Sequence, residues 1–278
     1  MSSIGAAAAE RPHGTRGEAI KFELVQEHLI LVPTLVNGHG PYSFILDTAS
    51  DVTIVDPQVA ADAGLRAQDS AVVRALTGAV RLLSCRTRVT LAGRQFDDTE
   101  VLIQSVSSVS RKAQGVLGWN VLSRFDFILD NARRQLVIPA VAADSGIGGG
   151  AVAYEEENGL PVIVTTIPAL SQRRLRMAMD TGAAQLLLFS VAPPPEMSEA
   201  DRHVLRTPLG DVEVCFLRVP TLGIGSSTLT DVQVGFMRPG LRNRSAGLDG
   251  LLPVRLFQAV YFDNSHRAVV LNPRFTRK

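Results

Sequence analysis

The sequence has no excess of charge of either sign. It carries 28 Lys and Arg against 27 Asp and Glu, a formal net charge of +1. That balance gives no electrostatic basis for binding nucleic acid or an anionic membrane. It also lacks an apolar run of the roughly 18 residues needed to span a bilayer. Cysteine is nearly absent. Cys85 and Cys215 stand alone in a chain of 278 residues, read as apolar core positions, and nothing requires a disulfide. The five histidines, His13, His28, His39, His203 and His266, show no metal-ligand spacing. Gly146 to Gly150 is followed by no Lys-Ser/Thr and opens no helix, so it is not a phosphate loop. Neither a metal nor an organic cofactor is expected.

Long helical periodicity is missing as well. What is present is Val, Leu and Ile in short runs, which argues for an all-β chain with few helices. The length gives room for two domains of about 130 residues each. The first residues, MSSIGAAAAERPHGTRG, hold an apolar stretch too short and weak for a signal-peptide core, with no basic residue before it. As written, the chain is expected in the cytoplasm with a flexible tail over 1–17, a candidate for trimming. A start lying further upstream would make it an exported protein.

The chain repeats itself. Residues 44–50 read FILDTAS and 177–183 read MAMDTGA. Asp47 to Gly78 spans 31 positions and Asp180 to Gly210 spans 30; Asp47 to Gly118 spans 71 and Asp180 to Gly250 spans 70. Near the ends, LDNARRQLVIP (129–139) matches FDNSHRAVVLNP (262–273), each with Asp-Asn and an Arg three residues after the Asn. Coincidences in one order over about 100 residues argue for a duplicated unit. The expected organisation is a first lobe over 18–141, a Gly-rich linker over 142–150, and a second lobe over 151–278.

Each copy has the same pattern. Residues 28–36 predict a strand, NGHG (37–40) a hairpin turn, and PYSFILD a second strand. Asp56 as N-cap, Pro57 at the first helical position and Gly64 as a stop predict a short helix. Strands are predicted around the turn at Ala92-Gly93, a second short helix at 119–125, and a closing hairpin from DFILD and RQLVI.

Paired Asp-Thr motifs suit amide hydrolysis. Two carboxyls held close cannot both ionise cheaply, so one keeps its proton and the other takes a proton from water; the principle's own worked case is the aspartic protease dyad. Asp47 and Asp180 are the candidate pair. Thr48 and Thr181 can hydrogen-bond across to lock the two loops. The next position favours Gly, because backbone N–H groups approach the carboxyls there; it is Ala49 in one copy and Gly182 in the other. The Ser50 hydroxyl either bonds the outer oxygen of Asp47 or is a plain loop hydroxyl. Trp119 is expected in the core, and RPGLRNR (238–244) as a solvated loop.

On Asp47-Thr48-Ala49-Ser50, Asp180-Thr181-Gly182-Ala183 and a later hydrophobic-hydrophobic-Gly in each copy, the chain resembles the pepsin and retropepsin superfamily. It is most similar to bacterial retropepsin-like aspartyl proteases with two lobes in one chain. The later motifs are Val116-Leu117-Gly118 and Leu248-Asp249-Gly250. The resemblance implies two closed β-barrel-like lobes and an endopeptidase with Asp47 and Asp180 as its dyad. It implies a monomer whose substrate is a peptide or protein in extended conformation. It places a flap over 74–83, at Thr77, Gly78 and Ala79 with Gly78 at the tip, and an equivalent hairpin over 206–214. Two positions depart from the pattern, Ala49 for Gly and Asp249 for a hydrophobic residue. They favour the alternative, a peptide-binding module of the same fold without turnover.

Overall fold

Two β-rich lobes carry nearly all the regular structure of this computed structural model, which describes residues 18–75, 78–139, 147–148, 150–193, 202–207, 210–237, 247–272 and 274–275. In the first lobe eight strands run in the order Glu23–Val25, Leu29–Val36, His39–Leu46, Gly115–Leu117, Thr53–Val55, Arg94–Ile103, Gly78–Leu91, Asp69–Ala75. Leu29–Val36 also pairs with Gly78–Leu91, which curls the sheet onto itself. In the second lobe the order is Glu155–Glu157, Leu160–Thr166, Leu175–Asp180, Gly250–Pro253, Leu186–Leu188, Ser227–Met237, Gly210–Ile224, Arg202–Thr207. The same closing pair recurs between Leu160–Thr166 and Gly210–Ile224. The expected all-β, two-lobed architecture is the one observed.

Local chemistry accounts for these elements. Asn37 and Gly38, at φ +50° and +82°, make the tight turn between the second and third strands. Asp56 accepts the amide of Gln58 at 3.0 Å and caps the helix Pro57–Asp62. Gly64, at φ +67°, follows its end. Gly115–Leu117 is buried on both sides between a parallel and an antiparallel neighbour, which is why it is an uninterrupted apolar run.

A third sheet belongs to both lobes. Its order is Glu18–Lys21, Gln135–Ile138, Phe127–Asp130, Ala259–Asp263, Ala268–Leu271, Ala151–Ala153. The lobes meet where Phe127–Asp130 pairs antiparallel with Ala259–Asp263. There Phe127 stacks on Phe262, with ring centroids 4.6 Å apart. Trp119 is buried beside Phe262 and Tyr154 in the core that continues from one lobe into the other.

Within the stretch expected as a linker, Ile147–Gly148 pairs with Arg274–Phe275. That backbone pairing ties down two residues that composition alone presents as flexible. The rest of that stretch apart from Gly150, the tail 1–17 and the cluster 238–244 lie outside the described residues. Cys85 and Cys215 are both free thiols, the first buried and the second half-buried.

Candidate functional site

Asp47 and Asp180 stand at equivalent ends of equivalent strands. His39–Leu46 delivers the first and Leu175–Asp180 the second, and Phe44, Leu46, Met177 and Met179 anchor them in the core. The Asp47 amide donates to Leu117 O at 3.1 Å. The chain then turns so that its next amides point back at the carboxyl. Ala49 N donates to Asp47 Oδ1 at 2.9 Å; Gly182 N and Ala183 N donate to Asp180 Oδ1 at 2.7 and 2.8 Å.

The two turns are joined by a reciprocal exchange. Thr48 N donates to Thr181 Oγ1 at 3.0 Å, and Thr181 N to Thr48 Oγ1 at 3.1 Å. Each hydroxyl in turn donates into the opposite lobe, Thr48 to Met179 O and Thr181 to Leu46 O, both at 2.7 Å. Both threonines are buried, so all four bonds lie in a dry interior. Each contributes about 1 kcal/mol net, and leaving one partner orphaned costs more.

This exchange brings the carboxyls together. A Cβ placed on Gly182 would lie 3.2 Å from Asp47 Oδ2 and 3.4 Å from Asp180 Oδ1, so one point is near both groups. Burial raises the pKa of Asp47 to about 6, against the pull of the Ala49 and Ser50 amides. Asp180 is raised well above the ordinary carboxylate value, first by burial and then by the charge of Asp47, against the amides of Gly182 and Ala183. At near-neutral pH such a pair holds one proton between two carboxyls. Among the described residues no three His, Cys, Asp or Glu side chains gather as a metal site.

Neither Ala49 nor Gly182 has positive φ. Ala49 is therefore unstrained, and the constraint at this position is space beside a carboxyl rather than backbone conformation. The Ser50 hydroxyl donates to Val52 O at 2.8 Å. Of the two roles open to it, the structure takes the local loop bond.

The register corrects the second hydrophobic-Gly motif. In lobe one Phe44 pairs with Gly115 and Leu46 with Leu117; in lobe two Met177 pairs with Gly250 and Met179 with Leu252. Gly250 therefore occupies the place of Gly115, not of Gly118. A Cβ on either would meet a carbonyl, Ile54 O at 2.6 Å or Leu187 O at 2.0 Å. The counterpart of Gly118 is Pro253, opposite Asp180. A second exchange goes with it. Thr53 Oγ1 accepts the Gly118 amide at 3.2 Å. Pro253 has no amide to satisfy, and the residue corresponding to Thr53 is Leu186. Equal spacing hid this, because lobe two carries extra residues between its Asp and its glycine.

Asp249 thus lies just before the strand and outside the hydrophobic motif. Its carboxylate takes both Nη atoms of Arg173, at 2.7 and 2.9 Å, the amide of Arg176 at 2.8 Å and the hydroxyl of Ser190. Burial pushes its pKa up, but these donors hold it below the usual value. It is a fully partnered structural carboxylate.

Each lobe has an edge hairpin, Asp69–Ala75 with Gly78–Leu91 and Arg202–Thr207 with Gly210–Ile224. Gly78 pairs with Ala75 and begins the returning strand, so it is not the tip. Ala79 follows in that strand. Thr77 lies outside the described residues. Val72 and Val204, at corresponding places on the two hairpins, are 56% and 59% exposed.

The repeated Asp-Asn pair has a role that its spacing alone did not reveal. Asn131 donates to Val254 O at 3.2 Å and Phe257 O at 2.9 Å, across the lobe boundary. Asn264 donates to Leu122 O at 2.9 Å and Phe125 O at 2.6 Å in the opposite direction.

Residues 32–121 match the family model described as aspartyl protease. The match spans the Asp47 turn and Gly118, and it supports a pepsin- or retropepsin-type aspartyl protease. No curated protein matches the chain.

Proposed function

We propose that the chain is an aspartic endopeptidase in which Asp47 and Asp180 form the catalytic dyad at the lobe boundary. The observation that carries this reading is the reciprocal Thr48–Thr181 exchange, which holds two buried carboxyls next to one another. Burial raises both carboxyls and the charge of Asp47 disfavours ionising Asp180, so the pair holds one proton, which this reading puts on Asp180 with Asp47 ionised.

In the reaction Asp47 accepts a proton from a water molecule, whose oxygen attacks the scissile carbonyl carbon. Asp180 donates its proton to the carbonyl oxygen, giving a neutral tetrahedral diol. Asp47 then passes its proton to the amide nitrogen as the C–N bond breaks, and one diol hydroxyl returns a proton to Asp180. The dyad ends as it began, and no cofactor takes part. The substrate is a peptide in extended conformation, paired strand-like with the backbone of the edge hairpins acting as flaps. Both half-sites come from one polypeptide, a duplicated unit, so the working form is a monomer.

The unstrained Ala49 and the fully partnered Asp249 weigh against a binding module without turnover, the reading those two positions had favoured. Incubating the protein with a mixed peptide library between pH 3 and 7 tests the reading. Cleavage by the native chain and its loss in a folded Asp180→Asn variant are expected. An uncleaved library, or equal cleavage by both proteins, overturns it.

A further inference from the structure

Asp51 and Ala184 lie just beyond the two dyad turns, one on each side. Asp51 follows Asp47 by four residues and Ala184 follows Asp180 by four, and the next strands, Thr53–Val55 and Leu186–Leu188, begin in step. The Ser50 amide meets Asp47 O at 3.4 Å, so Asp51 stands one residue past a tight turn. Its Cα is then at most about 11 Å from that of Asp47, a length of about three residues in an extended peptide.

Both positions are at the lobe boundary. A Cβ on Gly159, in the turn that opens Leu160–Thr166 of lobe two, would lie 3.2 Å from Asp51 Cβ. The lobe-one turn that matches Asn158-Gly159 is Gln26-Glu27, both pairs having positive φ. His28 follows it. Burial lowers the pKa of His28, and the charge of Arg255 from lobe two lowers it further. Arg255 Nη1 in turn donates to Ala184 O at 3.0 Å. A peptide lying along the boundary across the dyad therefore passes Asp51 at one corner and Arg255 at the other.

The corners differ in charge. Strand register makes Asn120 the lobe-one counterpart of Arg255. Asn120 is neutral and keeps its carboxamide within its own lobe, accepting from Thr53 Oγ1 and donating to Glu100 O, both at 2.8 Å. Among the described residues Asp51 meets only its own amide, that of Val52 and the negative charge of Glu100. Burial already disfavours its charged form, so a substrate cation would relieve a cost that is present before binding. Arg255 is exposed, and among the described residues its one bond is to a carbonyl, which leaves most of its donor fork free for a carboxylate. Glu27, exposed beside His28, offsets part of that positive charge. One corner thus has two carboxylates and no cation, the other one of each, and the gradient along the cleft keeps its sign.

We propose that Asp51 and Arg255 determine specificity in the cleft: Asp51 takes a lysine or arginine side chain of the substrate on one side of the scissile bond, and Arg255 takes an aspartate or glutamate on the other, each about three residues away. The threonine-locked turns are alike and give a peptide no reason to lie one way round. The unequal corners do, so a substrate of mixed charge is preferred over one charged alike at both ends.

The proposal deepens the peptidase reading and rests on it for cleavage but not for binding, so the two are measured separately. Four fluorescein-labelled peptides share an apolar centre and carry Lys and Glu, Glu and Lys, two Lys, or two Glu, three residues to either side of it. Fluorescence anisotropy at pH 6 and low salt gives their affinities for the native chain, Asp51→Lys and Arg255→Glu, and kcat/KM is measured on the same set. A mixed peptide should bind the native chain at least about threefold more tightly than either like-charged one, the scale of a part-exposed ion pair, and salt should erode the difference. Asp51→Lys should come to prefer the two-Glu peptide and Arg255→Glu the two-Lys peptide. The variants act on different corners, so either one that folds, as checked by urea denaturation, decides the matter. The same ranking in native chain and variants, or binding of none of the four peptides, overturns the proposal, even where other peptides are cleaved and the peptidase reading survives. Rankings that switch without any cleavage uphold the proposal and count against the peptidase reading alone.

Discussion

Asn131 and Asn264 make the same exchange in opposite directions, each carboxamide donating to two carbonyls at the end of the other lobe's short helical turn. Helix ends leave carbonyls without intrahelical donors, and here each lobe donates to its neighbour's, although Val254 O also takes the amide of Phe257 at 3.1 Å. Asn264 also accepts the hydroxyl of Tyr154 at 2.9 Å. Asn131→Ala should cost about 2 kcal/mol of stability, and Asn264→Ala somewhat more because it orphans Tyr154 too. Urea midpoints measure both. Equal midpoints for the native chain and both variants would mean that water replaces the carboxamides without loss.

Thr181→Val keeps the shape of the side chain and removes both of its hydrogen-bonding roles. The buried amide of Thr48 and the carbonyl of Leu46 are left unpaired, at a cost of about 2–4 kcal/mol. Thr181→Ser retains the hydroxyl and should recover most of that loss. Denaturation curves of the two variants distinguish a hydrogen-bonding role from packing.

Asp180→Asn should lower kcat by a factor of about a thousand or more, with KM little changed, if the group lost is the proposed proton donor. Steady-state kinetics on any cleaved peptide reads this directly.

Burial of Asp47 sets a sign for stability against pH. Its folded pKa, about 6, lies above the ordinary 3.8. Between those values the folded state binds more protons than the unfolded one, so stability falls as pH rises through that window and levels off above it. Asp180 is raised as well and adds a slope of the same sign. Asp47→Asn should therefore be more stable than the native chain at pH 7, by about 1–3 kcal/mol. The advantage should vanish below about pH 4. Urea midpoints across that range give the answer, and a variant less stable at pH 7 would contradict the assigned burial.

With both half-sites supplied by one chain, as proposed, activity per molecule should stay constant over a hundredfold dilution. Activity that falls on dilution would place the working site between chains.

Much of the fold was legible because the signals were local. Asn37-Gly38, Asp56-Pro57 and Ala92-Gly93 each impose a turn or a cap whatever surrounds them. The Asp-Thr pairs were legible because they occur twice. What could not be read depended on partners distant in the chain. The apolar run of DFILD marks Phe127–Asp130 as a strand, but nothing in it shows that it pairs with Ala259–Asp263 of the other lobe. Gly118 and Gly250 look equivalent by spacing, and only strand register pairs Gly250 with Gly115. Asp249 looked anomalous because its guanidinium partner, Arg173, lies 76 residues away. Ser50 had two acceptors within reach, and turn geometry decided between them.

The pairs Thr53–Gly118 and Leu186–Pro253 also constrain how such a site can change by mutation. Replacing Thr53 with Leu first orphans the buried Gly118 amide, a loss of about 1–3 kcal/mol that a marginally stable domain cannot easily carry. Replacing the glycine with proline first deletes the amide and leaves the hydroxyl its bond to Asn120 Oδ1 at 2.8 Å, but a Cβ at residue 118 would lie 2.5 Å from the Val52 carbonyl, so that order is obstructed as well. The effect of either substitution depends on whether the other has already occurred. A one-residue-at-a-time scan of lobe one toward lobe two would score both Leu at residue 53 and Pro at residue 118 as damaging. The two lobes are thus separated by a step that neither substitution crosses alone: one strands an amide and the other drives a side chain into the Val52 carbonyl.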